Sequence, residues 1–350
     1  MALLFTALYV VMFAGCQSAD RTPVQSTDNI SPRSVSGISD VIVHDSYPKS
    51  ALLTPLPSWR TGPGKGIGFV RSEDRDTDPL DRPQTVELRV QEGDLLDIFL
   101  ILSNGEGRPR TFLVTLILDY RQVEFELDGR EGLLHEVSVP VKTDMEMPLR
   151  VQVSGSGAHD LQVMAFDYPY NLSLDQDYRM DLAGYVIGRR AVIVVGENEA
   201  PVRALSPSAN GWPSPPEVTF RPRIGFASKD GTGEVHPSGR QLYVAQAAAG
   251  DPYRFQLYSN NPQKEENAAV YAIVFFLDFH QVNIMDQEVL VIRLEPGEEV
   301  INDIEVLLPR QPGIRQFQAL YVFDPYKSIL RKEVMSSFVF GSPRISIEAK

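Results

Sequence analysis

The sequence predicts an all-β protein built from two tandem, homologous antiparallel β-sandwiches. Three observations support this fold class: short alternating or β-branched apolar runs, turn residues about every dozen positions, and a block of residues that occurs twice. No stretch carries the apolar stripe of an amphipathic helix. With 350 residues, the chain is long enough for two domains of ordinary size.

Short strands are predicted from residue 67 onward. Residues 86–90 alternate apolar and polar side chains, which is the period of a half-buried strand. Turn-forming residues such as Ser103, Asn104 and Gly105 separate the apolar runs. The first half of the chain is expected to form strands at 86–90, 95–102, 112–118, 137–139, 149–153, 161–166 and 185–195.

The second half of the chain repeats the first. The matched pairs are 67–69 with 224–226, 118–123 with 277–282, 161–170 with 317–326, and 185–188 with 338–341. Their offsets stay between 153 and 159 residues, and four matches in one order indicate an internal duplication. Each unit has about 130 residues, the size of an immunoglobulin-like or jelly-roll sandwich. The chain therefore resembles proteins with tandem immunoglobulin-like domains, although the Cys-Trp-Cys core of antibody domains is absent.

Composition places boundaries around the two repeats. Residues 17–64 are rich in Ser, Thr, Pro, Asp and Gly, and 197–222 contain six prolines, which favour an extended linker. The predicted organisation is a signal peptide at 1–15, a flexible tether at 16–64, a first sandwich at 65–196, a Pro-rich linker at 197–222 and a second sandwich at 223–350.

The N-terminus carries a recognisable processing pattern. Residues 1–15 are apolar and uncharged, too short to span a bilayer but of the length of a signal-peptide core. They end in Ala14, Gly15 and Cys16, which resembles the Leu-(Ala/Ser)-(Gly/Ala)-Cys lipobox of bacterial lipoproteins, with Phe13 in place of Leu. The resemblance implies that Cys16 is lipidated and anchors the chain in the bacterial envelope, facing the periplasm or the cell exterior. A plain signal peptide, or a short anchor with a chance cysteine, is the alternative.

Charge and composition exclude several classes of function. The net charge is −13 and Lys and Arg are not clustered, which argues against a nucleic-acid partner. Cys16 is the single cysteine, so neither an intramolecular disulfide nor a Cys-based zinc site is available. Because no nucleophile elbow, metal-ligand spacing or cofactor fingerprint occurs, we predict no catalytic residues, no metal and no cofactor.

Four acids recur at equivalent positions of the two repeats. Asp119 and Asp278 end strongly apolar strands, and Asp167 and Asp324 follow a second such strand just before a Pro-Tyr pair. Carboxylates in this arrangement suit a structural turn, a calcium site or a glycosidase pair. Because both repeats keep them, the structural interpretation is favoured, since the fold is what the repeats share.

These observations predict a lipid-anchored envelope protein, more readily a non-enzymatic binding or scaffolding module than an enzyme. Its partners are expected to be the membrane, through the lipid, and an envelope protein, peptide or glycan. Two alternatives remain open. One is a hydrolase that acts on envelope glycan at a site between the sandwiches, and the other is a passive spacer.

Overall fold

The predicted all-β fold class is confirmed: the computed structural model contains many strands and one short α-helix among the residues it describes. Those residues are 38–44, 51–56, 64–77, 87–181, 186–197, 199–207, 212–213, 223–229, 240–261, 268–327 and 338–350. The predicted signal peptide and Cys16 lie outside them.

The first repeat follows two short strands that belong to the N-terminal segment. All strands up to residue 195 are β1 (Val41–Val43), β2 (Leu52–Pro55), β3 (Lys65–Arg71), β4 (Glu87–Val90), β5 (Leu95–Asn104), β6 (Arg110–Leu118), β7 (Arg121–Val123), β8 (Phe125–Leu127), β9 (Arg130–Gly132), β10 (Leu134–Val139), β11 (Thr143–Gln152), β12 (Gly157–Asp167) and β13 (Val186–Val195). A 3₁₀ turn at Ser72–Asp74 and the six-residue helix α1 (Gln176–Asp181) complete this half. Within the described ranges, neither these two helical segments nor any other is long and apolar enough to cross a membrane.

The second repeat follows a two-residue strand in the linker. Its strands, with that linker strand first, are β14 (Trp212–Pro213), β15 (Arg223–Ala227), β16 (Val244–Ala247), β17 (Pro252–Asn260), β18 (Ala269–Leu277), β19 (His280–Val282), β20 (Leu290–Leu294), β21 (Glu299–Leu307), β22 (Gly313–Phe323), β23 (Phe338–Gly341) and β24 (Ile345–Ala349).

Each repeat is a sandwich with the same strand pairing. In both, one layer contains three neighbouring antiparallel strands, β3-β5-β11 within a six-stranded sheet in the first repeat and β15-β17-β21 within a four-stranded sheet in the second. The opposite layer pairs β6 with β12 and β12 with β13, and correspondingly β18 with β22 and β22 with β23 and β24. A parallel strand closes each edge, β4 on β13 and β16 on β24. This twofold occurrence of one topology confirms the predicted tandem sandwiches.

Separate apolar cores fill the two sandwiches. In the first, alternate residues of β6, such as Phe112, Val114 and Leu116, face Leu100 and Met147 of the opposite layer. In the second, Phe255, Phe275 and Phe317 lie at the centre, with ring centroids 5.0 to 6.0 Å apart. Edge-to-face and offset aromatic contacts at these distances add to the free energy of burial.

The two sandwiches are joined through one continuous sheet of 14 strands. Strands β13 and β23 pair antiparallel, with Gly188 opposite Val339. A Cβ atom added to Gly188 would lie 2.5 Å from Val339 Cβ, and one added to Gly341 would lie 2.2 Å from Val186 Cγ1. Each repeat thus places a glycine beneath a valine of the other repeat, which explains why the short 185–188 and 338–341 motif occurs twice.

A third apolar cluster lies between the repeats, on the faces of β6, β12, β18 and β22 that point away from their own cores. Its members include Ile117 and Phe166 from the first repeat and Phe276 and Phe279 from the second. Phe166 contacts Phe279 with ring centroids 4.8 Å apart. We call this cluster and the polar residues around it the junction. Strands β6 and β18 contribute to it and are buried on both faces, and their sequences are accordingly almost continuously apolar.

Parts of the segment predicted as a tether are strands on the first repeat. Strand β1 pairs in parallel with β10, and β2 pairs antiparallel with β11, so the segment reaches both layers of the sandwich. Ile38 and Val41 pack against the junction cluster. The apolar islands within an otherwise polar segment therefore mark the places where it contacts the domain.

Strand β1 ends beside a buried histidine pair. His44 Nε2 lies 3.0 Å from His135 Nδ1, and His135 Nε2 lies 3.2 Å from the carbonyl oxygens of Phe125 and Gly132. Burial, and after it the neighbouring His44 and Arg130, outweigh the hydrogen bonds to Phe125 and Gly132 and lower the pKa of His135 to about 4. The fold therefore holds His135 in its neutral form at ordinary pH.

We expect His135 to make the protein sensitive to acid. The unfolded chain takes up this proton below about pH 6.5 and the folded chain only near pH 4, so the contribution to stability is present above pH 6.5 and is lost as the pH falls towards 4. The free energy of unfolding should fall by about 3 kcal/mol between pH 6.5 and pH 4. Chemical unfolding of the parent and of His135→Gln between pH 7 and 4 measures it.

The matched control is His280→Gln, which should keep the acid sensitivity of the parent, since the His280 ring lies at the protein surface and is half-buried. An equal loss of stability in His135→Gln and in the parent would show that another group controls the effect.

Candidate functional site

The repeated Leu-Asp-aromatic-x-Gln-Val segment forms a tight hairpin turn at the junction. Leu118 pairs with Arg121, and the two residues between them, Asp119 and Tyr120, have φ of 51° and 68°. Positive φ at both positions of a two-residue loop is the signature of a type I′ turn. Such a turn favours Asn-Gly, so a bulky Tyr at the second position is strained and needs compensating contacts.

The second copy of the turn has the same backbone. Asp278 and Phe279 have φ of 50° and 67°, between Leu277 and His280. Tyr120 and Phe279 are both almost completely buried in the junction cluster. Burial of the two aromatic rings compensates the strain of the turns, so the turn and the contact between repeats depend on each other.

The carboxylate of Asp119 holds the neighbouring strand in place. Its Oδ1 accepts a hydrogen bond from the Asp160 backbone N–H at 3.0 Å, and its Oδ2 lies 2.7 Å from His159 Nδ1. His159 Nε2 lies 2.9 Å from the Gly155 carbonyl oxygen. Burial lowers the pKa of His159, but the hydrogen bonds to Asp119 and Gly155 outweigh it and the net pKa is raised.

Asp278 makes the equivalent contacts in the second repeat. Its Oδ1 accepts from the Gln316 backbone N–H at 2.9 Å, and its Oδ2 accepts from Arg315 Nη1 at 3.1 Å. Burial raises the pKa of Asp278, although the Gln316 and Arg315 hydrogen bonds oppose the rise. The two acids thus occupy equivalent turns and differ in their basic neighbour, His159 or Arg315.

A reciprocal glutamine pair links the two turns. The Gln122 backbone N–H donates to Gln281 Oε1 at 2.6 Å, and the Gln281 backbone N–H donates to Gln122 Oε1 at 2.8 Å. The Gln122 amide group donates to the Phe279 carbonyl, and that of Gln281 donates to the Tyr120 carbonyl. The same residue of each repeat therefore makes the same contacts to the other, so an approximate twofold axis runs through the junction.

A buried ion pair lies near this axis. Asp160 Oδ1 accepts from Arg190 Nε at 2.5 Å, and neither side chain has any solvent exposure. Asp160 Oδ2 accepts from the Tyr120 hydroxyl at 2.6 Å and from the Tyr326 backbone N–H at 2.8 Å. Arg190 also donates to the Phe323 carbonyl at 2.9 Å. The first repeat thus fixes the 323–327 loop of the second.

The second repeat holds the corresponding loop of the first by related contacts. Arg344 Nη2 donates to the carbonyls of Asp167 and Tyr168 at 3.0 and 3.1 Å, and its guanidinium lies 5.5 Å from the centre of the Phe279 ring. Gln316, which is equivalent to Asp160, donates to the Pro169 carbonyl at 2.6 Å. The repeated Asp and Pro-Tyr motif therefore contributes to the contact between repeats.

Asp167 and Asp324 occupy equivalent positions but have different surroundings. Asp167 is buried and forms ion pairs with Lys65 and Arg110, and burial lowers the pKa of Lys65. Asp324 is one-third exposed and pairs with Lys327 at 3.3 Å. Over the ranges that the structure describes, no three His, Cys, Asp or Glu side chains come together as metal ligands would.

An open groove borders the junction. It has a volume of about 630 Å³ and is lined by residues of the 203–207 and 283–291 segments. Arg203 Nη2 contacts Glu288 Oε2 at 3.1 Å, and Arg121 Nε contacts the same oxygen at 2.7 Å. The hydrogen bond from Arg121 lowers the pKa of Glu288. The sequence gives no local signal for this groove, because a linker and a distant hairpin form it together.

We expect Asp119→Ala and Asp278→Ala each to destabilise the protein by about 1–3 kcal/mol, because each leaves a buried backbone donor without its acceptor. Thermal melting in calcium and in chelator tests this expectation. Calcium should leave the parent and both variants unchanged.

Two results would contradict this structural role. Stabilisation of the parent by calcium that either variant loses would indicate a calcium site. Variants as stable as the parent would show that Asp119 and Asp278 do not stabilise the turns.

Comparisons with known proteins identify no family. No family model and no curated protein matches the chain. Among solved structures it is similar to the C-terminal domain of the Streptococcus agalactiae antigen I/II polypeptide BspA (7% identity, TM-score 0.22, 82% of this chain and 100% of that one). It is also similar to the C-terminal domain of the Streptococcus pyogenes antigen I/II-family protein AspA, with 8% identity and a TM-score of 0.21. That match covers 81% of this chain and 99% of the AspA domain. Red sea bream transglutaminase gives 10% identity and TM-score 0.20; the match covers 82% of this chain and spans 31% of the transglutaminase. Similarity at this level carries no information on function.

Proposed function

We propose that the protein is a lipid-anchored, non-enzymatic module of the bacterial envelope that presents a rigid pair of sandwiches to another envelope molecule. The twofold junction is the observation that carries this proposal. Each repeat packs its Asp-aromatic turn and its Gln against the other. A solvent-free ion pair of the first repeat, Asp160 with Arg190, is also hydrogen-bonded to the 323–327 loop of the second. A contact of this kind fixes the two domains in one orientation, as a presenting or scaffolding module requires.

The interior of the junction supports binding rather than catalysis between the sandwiches. Phe166, Phe276 and Phe279 fill the space between the repeats where a hydrolase cleft would have to lie. The acids nearby, Asp119 and Asp160, are engaged by backbone and side-chain donors. The open groove at the edge of the junction favours a binding module over a passive spacer, since a spacer needs no such surface.

The position of Cys16 supports an anchor close to the folded part. Twenty-five residue steps separate Cys16 from Val41 at the start of β1 (41 − 16). A fully extended chain of that length reaches roughly 85 Å, which is the upper limit of the distance from the lipid to the first repeat. The sandwiches would then work within the envelope, near the membrane.

Lipidation at Cys16 is tested by metabolic labelling with an alkyne fatty acid followed by membrane fractionation. The parent should take up label and sediment with the membrane, because several acyl chains anchor stably. Cys16→Ser should take up none. The matched control, Cys16→Ser with Ser18→Cys, restores a cysteine outside the lipobox position and should also remain unlabelled. Equal labelling of the parent and Cys16→Ser would refute the anchor.

A further inference from the structure

Strands β10 and β20 are equivalent strands of the two repeats. Strand β10 pairs with β6, Val139 lying opposite Arg110, and β20 pairs with β18, Leu294 lying opposite Ala269. The offset from Arg110 to Ala269 is 159 residues, the same as between the matched hairpin turns (269 − 110). Because the two strands are equivalent, the segment bound to the outer edge of β10 indicates what kind of segment the outer edge of β20 can bind.

In the first repeat that edge is occupied by β1. Val41, Ile42 and Val43 pair in parallel with Leu134 and the two residues after it. Val41 also packs against the junction cluster. The occupant is thus a short, extended, β-branched apolar segment supplied from outside the sandwich, added to the sheet by main-chain hydrogen bonds.

In the second repeat, no described strand is added to the same edge. Among the described residues, β20 pairs with β18 alone. Val289, just before β20, and Val291 within it line the groove between the 203–207 and 283–291 segments. Leu205 packs against the junction cluster from the linker, as Val41 does from β1, but the linker adds no strand to β20. The groove therefore leaves space where the first repeat holds its added strand.

The charged residues around the groove indicate which charge an occupant should carry. Arg203 is paired with Glu288, whereas Asp286 has no ion-pair partner among the described residues. Asp286 has φ of 60°, and together with Met285 it forms a strained turn at the mouth of the groove. Arg121 also pairs with Glu288, so the charges around the groove balance overall. The exposed carboxylate of Asp286 still lacks a partner of its own among the described residues, and it favours a Lys or Arg next to the apolar part of the occupant.

We propose that the open edge of β20 is the binding site for a strand of a partner protein. The occupant is an extended segment of β-branched apolar residues flanked by a basic residue, added in parallel to β20. Strand addition to an exposed sheet edge is a general mode of peptide recognition, in which main-chain hydrogen bonds supply affinity and side-chain pockets supply specificity. The inference deepens the proposed binding role and does not depend on lipidation of Cys16.

Fluorescence anisotropy with the full chain in mild detergent tests the proposal. The probe is a fluorescein-labelled peptide, Arg-Thr-Val-Ile-Val-Thr, and its matched control has Pro in place of Ile, which removes a main-chain donor. The probe should bind saturably and the Pro peptide about ten-fold more weakly or not at all. Asp286→Asn keeps the tolerance of the turn for positive φ and should weaken probe binding about three-fold.

Two tryptophan variants place the binding site. Ser206→Trp fills the groove from an exposed linker position and should weaken binding at least about ten-fold. Ser154→Trp, equally exposed on a loop outside the groove, should leave binding unchanged. The proposal is overturned if the probe does not bind saturably, if the Pro peptide binds equally well, or if Ser206→Trp has no effect.

Self-association is the competing outcome. If the chain associates with itself in a concentration-dependent manner that Ser206→Trp abolishes, the occupant is a second copy of the chain and the assignment to a different protein is wrong. Failure of the probe to bind, together with fatty-acid labelling of Cys16, would overturn the groove proposal while leaving the envelope module intact.

Discussion

The contact between the repeats depends on the buried ion pair of Asp160 and Arg190. Moving two charges out of water is costly, and their mutual attraction offsets that cost only when the remaining hydrogen-bonding positions are also filled. Here they are: the Tyr120 hydroxyl and the Tyr326 N–H donate to the carboxylate, and the guanidinium donates to carbonyls of the 323–327 loop. Because these partners come from both repeats, the pair is satisfied only when the repeats are assembled.

The rest of the junction follows from an approximate twofold symmetry around this pair. Gln122 and Gln281 exchange identical hydrogen bonds, and Gly188 and Gly341 each lie beneath a valine of the other repeat. An interface in which one surface contacts its own copy is the geometry of a symmetric homodimer. In this chain the two equivalent surfaces belong to the two repeats of one molecule. The strained turns that carry Tyr120 and Phe279 fit this arrangement, because each ring packs against an aromatic ring of the opposite repeat, Tyr120 against Tyr326 and Phe279 against Phe166.

The sequence predicted the all-β fold and the duplication because strand periodicity and repeated motifs are local signals. It also identified the recurring acids, but it attributed the repeated motifs to the fold of each repeat rather than to the contact between them. One signal pointed to that contact: residues 112–118 and 270–277 are apolar without alternation, as expected of strands buried on both faces. The partners of Asp160 and the groove beside Leu205 depend on contacts between distant segments, which no local pattern encodes.

The junction should make the two sandwiches a single cooperative unit of unfolding. Scanning calorimetry of the full chain tests this cooperativity. The parent should unfold in one transition, with equal calorimetric and van 't Hoff enthalpies. Arg190→Met, which leaves the buried carboxyl group of Asp160 without its guanidinium partner, should unfold in two transitions. Arg150→Met, which removes an exposed arginine from β11 of the first repeat, should retain one transition. Two separate transitions in the parent, or one in Arg190→Met at an unchanged temperature, would contradict the account.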